Sequence, residues 1–182
     1  MNTSSKKPDL IAESLSTNDP AEHFRPVHGY ACQTLPDAFV DIGESLKELF
    51  KKHKNVKKFD ATAFYSKRRP ELDAEGEESL AVFNQAAFTA AESMGGLVVY
   101  YQGHTLKSDY PMSPDIDIDF KPDCLSFCIW ENRSQAVAGA SVVPHKKAVA
   151  RTHVWYENFA LKKYQIDATD MNAIVFREFK RN

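Results

Sequence analysis

Two short segments constrain this chain more than anything else in it. Leu97-Val98-Val99-Tyr100-Tyr101 and Leu125-Ser126-Phe127-Cys128-Ile129-Trp130 are apolar or aromatic at nearly every position. Successive side chains of an extended strand point to opposite faces, so both segments present apolar surface in two directions. A sheet built on them needs cover on both faces, because monomers seldom leave a large apolar patch in water.

The rest of the pattern supplies the partners. Residues 1–29, rich in Ser, Asp, Pro and Lys, show no sustained periodicity and read as a flexible or loosely docked arm; residues 30–182 read as one α+β domain. After Pro36, Phe39, Ile42, Leu46, Leu49 and Phe50 recur at three- and four-residue steps, which predicts a helix. Residues 56–66 alternate, with Phe59, Ala61, Ala63 and Tyr65 on one side and Thr62 and Phe64 on the other, as a strand does. A stripe of Leu80, Phe83, Ala87, Ala90, Ala91 and Met94 predicts a second helix, stopped by Gly95 and Gly96. Strands follow at 97–101 and 125–130, separated by a long connection, 103–122, that carries three prolines and the alternating Asp115, Asp117 and Asp119. Ser134 is the expected N-cap of a short helix. Pro144 opens a longer one to about Phe159, with His145, Val149, Thr152, Tyr156 and Phe159 on one stripe. Strands at 161–166 and 173–179 close the chain.

Strand, helix, strand, strand, helix, strand is the βαββαβ order of a ferredoxin-like α+β sandwich, here with a helical N-terminal extension, a core over 56–166 and one extra strand. Helices cover one sheet face in such a layout. The other face has two possible covers: a second copy packed sheet to sheet, enclosing a cavity lined with rings, or the 39–50 helix folded back. The apolar strands favour the homodimer.

Composition narrows the function. A chain of 182 residues, 43% hydrophobic and formally −2, has room for one core and no basic excess to attract nucleic acid. No apolar run reaches the roughly 18 residues of a membrane span. Lys6 and Lys7 precede polar and charged residues where a signal segment would be apolar, so a cytoplasmic protein is expected. Cys124 and Cys128, four apart on one strand, are too distant for a disulfide and read as reduced thiols. A calcium loop starting at Asp115 would have Phe120 and Ser126 where glycine and a carboxylate are needed. Phosphate loops, nucleophile elbows, paired zinc histidines and dinucleotide fingerprints have no match. No metal and no cofactor are expected, with haem left as an open option.

The stretches Phe83-Asn84-Gln85, Gly96 to Tyr101, Leu125 to Glu131, Pro144-His145, His153-Val154-Trp155-Tyr156-Glu157 and Leu161-Lys162-Lys163-Tyr164 resemble a fungal and bacterial family similar to the dimeric α/β-barrel proteins, the broad group of antibiotic-biosynthesis-type monooxygenases. The resemblance implies a dimeric barrel, a small-molecule cavity and a chemistry drawn from cofactor-independent oxygenation, haem degradation, decarboxylation or simple binding.

The residues suited to such work are few. His145 and His153 titrate near neutral pH and can move protons, but eight residues of helix turn them about 80° apart and separate them by about 12 Å, so they do not share a metal ion. With Tyr101 they are the candidate catalytic groups. Tyr65, Tyr100, Trp130 and Tyr156 offer aromatic surface to a planar substrate, and Arg69, beside Arg68, could clamp a carboxylate. The ordinary alternatives are core packing for the rings and solvation for the histidines and arginines. The expectation is an enzyme acting on an apolar or aromatic metabolite, possible as a cofactor-independent monooxygenase or related tailoring enzyme. The alternatives are a non-catalytic haem- or hydrophobic-ligand-binding protein and a structural dimer module.

Overall fold

A computed structural model describes residues 43–105 and 117–179; the 1–29 arm, the start of the first predicted helix and Asp115 lie outside them. The elements run α1 (Gly43–Lys52), β1 (Lys58–Arg68), α2 (Ala74–Ser93), β2 (Leu97–Thr105), β3 (Cys124–Trp130), α3 (Arg133–Ser141), α4 (Val143–Ala150), α5 (Thr152–Trp155), β4 (Tyr156–Asp167) and β5 (Val175–Glu178). The sheet order is β2-β3-β1-β4-β5 with antiparallel neighbours. This is the ferredoxin-like arrangement with β5 added at one edge.

The alternation in β1 divides the molecule. Phe59, Ala61, Ala63 and Tyr65 face one side with Val99, Tyr101, Leu125, Phe127, Ile129, Tyr164 and Ile166, all at most 4% exposed. Helix α1 covers this face. Its Leu46 and Phe50 join the same cluster, and Phe50 stacks on Phe59 with centroids 4.3 Å apart. Beyond the helix, Nδ1 of His53 lies 2.9 Å from Oε1 of Glu131, tying the α1 end to the end of β3. The face is thus buried within one chain, by the second of the two covers the sequence allowed, and its apolar character makes no demand for a second copy.

Helices α2 to α5 lie over the other face. Asp73 caps α2 by accepting from the Gly76 amide at 2.8 Å. Gly95 and Gly96, both at φ near +75°, turn the chain into β2 as expected. Three local expectations are corrected. Asn132, not Ser134, caps α3: its Oδ1 accepts from the Gln135 amide, while the Ser134 hydroxyl donates to the same oxygen. Met94 leaves the helical stripe as an exposed C-cap. The long helix from Pro144 breaks at Arg151, and Tyr156 to Phe159, placed on a helix by their spacing, begin β4. Pairing of eleven β4 residues with β1 takes up their backbone, and aromatic side chains suit a pleated surface; a three-to-four-residue stripe cannot match that. The connection expected from residue 103 starts later, since β2 continues to Thr105.

Candidate functional site

Between the α2–α5 layer and the sheet lies a cavity of about 280 Å³. It sits on the helix-bearing face, not between two sheets as a barrel dimer would have it. Small residues create the void. Ala87, Ala91, Ala136, Gly139, Ala140 and Ala148 of the helices line it above the rings of Phe64, Tyr100, Trp130 and Phe159. Gly139 is required where it stands: a Cβ there would lie 2.3 Å from the Trp130 ring.

Register explains which strand residues line it. On β1 these are Thr62, Phe64 and Ser66. They oppose Cys128, Ser126 and Cys124 on β3 and Lys163, Leu161 and Phe159 on β4. The register of β4 shifts between Lys67 and Arg68, so that Tyr156 pairs with Arg68. A bulge of this kind re-aims a side chain, and here it places Tyr156 on the same cavity as Phe159.

The polar groups in this apolar setting are held mostly uncharged. The Tyr100 hydroxyl donates to Oδ1 of Asn84 at 2.5 Å, and burial pushes its pKa far above the ordinary value. Burial also raises Tyr156 to about 12. Cys128, whose Sγ accepts from the Trp130 indole at 3.3 Å, is raised by burial to about 11. Burial lowers His145 below 6.5, opposed by the Ala140 carbonyl; its Nδ1 is enclosed without a hydrogen bond of ordinary geometry, as is Nε1 of Trp155. At one end Nη1 of Arg133 lies 3.9 Å from Oδ1 of Asp60, whose carboxyl burial pushes upward against the Arg133 charge. Among the described residues no group of three or more His, Cys, Asp or Glu is placed to hold a metal ion, and no helix is long and apolar enough to cross a membrane.

Four of the eight residues singled out from the sequence meet here: His145, Tyr100, Trp130 and Tyr156 all line the cavity. The other four stand elsewhere. Tyr101 follows Tyr100 by one residue and so points to the opposite face, where it stacks on Phe127 at 4.7 Å. Tyr65 is buried on that same face. His153 is exposed on α5, where its carbonyl accepts from Nε of Arg69 at 2.9 Å. Arg69 itself pairs with Glu71 outside the cavity. Sequence reasoning passed over Asn84, Phe88, Arg133, Trp155 and Lys163 as cavity residues. Asn84 and Phe88 are four apart on α2 and could have been placed on the sheet-facing stripe; nothing in the pattern marked the other three.

The PB2B2.08-like family model matches residues 4–178. No curated protein matches the sequence. Similar solved structures include a hydroxynitrile lyase from Passiflora edulis, 9% identical over 63% of this chain and 98% of that one at a TM-score of 0.49. A dimeric ferredoxin-like protein of unknown function from Bacteroides fragilis is 13% identical over 58% and 94%, at 0.41. A putative antibiotic biosynthesis monooxygenase from Nitrosomonas europaea is 9% identical over 62% and 90%, at 0.40.

Proposed function

The chain belongs to the PB2B2.08-like family, and we propose that it is an enzyme that takes a proton from a small, mostly apolar aromatic compound held between its sheet and its helices. The observation that carries this reading is the partly open apolar cavity of about 280 Å³ with His145, Tyr100 and Tyr156 on its wall. That volume is near the lower end of small-molecule sites and suits one or two rings; a haem macrocycle is larger. The roles follow from the shifted acidities. Burial keeps the His145 imidazole neutral at pH 7, the form a general base needs. Tyr156, raised to about 12, stays protonated and can donate to an oxyanion. Tyr100 is committed to Asn84 and fixes the wall beside the ring. The anion left by deprotonation is also the species that dioxygen meets in cofactor-free oxygenation, so the monooxygenase version of the reading shares its first step.

The free thiols Cys124 and Cys128 suit a reducing cytoplasm. A homodimer would use a surface other than the face α1 covers, and light scattering would read it.

Both tryptophans of the chain, Trp130 and Trp155, line the cavity, so tryptophan fluorescence reports on it. Addition of 2-naphthol is expected to quench that fluorescence saturably. With 2-acetylnaphthalene in deuterated buffer, NMR is expected to show methyl-proton exchange above the buffer rate, lost in His145→Gln. Quenching without accelerated exchange would leave a binding protein and refute the enzyme; no quenching would refute the cavity reading.

A further inference from the structure

The cavity is not electrically even along its length. Lys163 and Arg133 both line it, and the register brings both to the Asp60–Thr62 stretch of β1. Lys163 stands opposite Thr62 on β1, and Thr62 lies two residues from Asp60; Arg133 opens α3 directly beyond β3. Among the described residues no carboxylate pairs with Lys163, and the Asp60–Arg133 contact, at 3.9 Å, is too long for a hydrogen bond. Oδ1 of Asp60 is enclosed with no hydrogen bond of its own. Two cations therefore stand near one poorly paired carboxylate, and among the described residues this end carries a net positive charge without a matching anion.

The other end is aromatic and neutral. Phe159 opposes Ser66, four residues along β1 from Thr62, which at the rise of a strand is about 13 Å. The two ends thus lie about the length of a pair of fused rings with one substituent apart. We propose that the cavity selects aromatic carboxylates, with the carboxylate between Arg133 and Lys163 and the rings reaching back along Trp130 and Phe64 toward His145 and Tyr156. This rests on the reading of the cavity as a substrate site and names the class of substrate. Arg133 offers a planar fork for a carboxylate and Lys163 a point charge. Asp60 then acts as the competitor that a guest must displace from Arg133.

Fluorescence titration with 6-hydroxy-2-naphthoate and with 2-naphthol separates the two readings. The wild-type chain is expected to bind the carboxylate about tenfold more tightly than the neutral phenol. Lys163→Gln and Arg133→Gln are each expected to reduce that advantage to threefold or less while leaving 2-naphthol affinity within twofold, which also shows that the variants are folded. Asp60→Asn is expected to shift the preference the other way, toward the carboxylate. Equal or weaker binding of the carboxylate to the wild type, or variants that leave its advantage intact, would overturn the proposal while the cavity reading stands. Failure of both compounds to bind would overturn both.

Discussion

Replacement of Phe50 by Ala tests the arrangement on which the placement of the cavity depends. Phe50 is 3% exposed and stacks on Phe59 at 4.3 Å with the ring planes 22° apart. Truncating a buried Phe costs about 3–5 kcal/mol, the lost transfer energy plus the space left behind, and the lost stacking accounts for about 0.5–1.5 kcal/mol of it. This is a large share of the roughly 5–15 kcal/mol that holds a domain folded. The described turns of α1 number ten residues, fewer than the roughly 12–15 an isolated helix needs, so α1 depends on its docking. Urea titrations of wild type and Phe50→Ala, followed by both tryptophan fluorescence and far-ultraviolet circular dichroism, are expected to show the midpoint falling by that free energy. The variant is also expected to self-associate as Phe59, Phe127 and their neighbours become available. A double-mutant cycle with Phe59→Leu isolates the coupling of the two rings. A loss below about 1 kcal/mol at unchanged slope would mean that α1 is not what closes this face, and the case against a sheet-to-sheet mate would fall with it.

Gly139→Ala forces the Trp130 ring away from a Cβ that would otherwise stand 2.3 Å off. The cavity is where it can go, so a loss of about 1–3 kcal/mol in a thermal melt is expected together with loss of 2-naphthol binding; unchanged affinity would contradict the placement of the cavity. Burial holds His145 below 6.5, so as pH falls the unfolded chain takes up that proton first. Stability is expected to decline below about pH 6.5, and urea titrations of His145→Gln should lack this component of the slope; identical pH profiles would remove His145 from the buried wall. Cys128, raised to about 11, has a thiolate fraction near a thousandth at pH 8. Peptide-level mass spectrometry after alkylation should find it at least about a hundredfold slower than free cysteine, and a rate within tenfold would show the thiol to be accessible and ionised.

The strands of the sheet centre were legible because their signal is local. Phe59, Ala61, Ala63 and Tyr65 alternate with Thr62 and Phe64 whatever packs on them. What failed was a choice between two periods: from Pro144 to Phe159 the helical spacing is real, but pairing with β1 is a long-range event that leaves no mark in the spacing, and it takes Tyr156 and Phe159 for the sheet. The preference for a sheet-to-sheet mate over the 39–50 helix as cover of the apolar face fails for a related reason, since a helix of the same chain and a second chain offer the same kind of surface. Tyr100 and Tyr101 show where alternation would have helped: adjacent strand residues cannot share a cavity, and the parity that puts Cys128 and Trp130 on one face puts Tyr100 with them. Arg133 and Lys163 carried no signal at all, because a lone cation at an element end is ordinarily solvated and only the register brings these two to one place.

Helix α4 holds its place in the layer over the cavity without a buried side chain of its own. Its first turn has no side-chain cap, and it ends in the break at Arg151. It packs chiefly against α2, and it carries His145 on the cavity wall. Because α4 rests on α2, the position of the His145 ring follows the packing between these two helices.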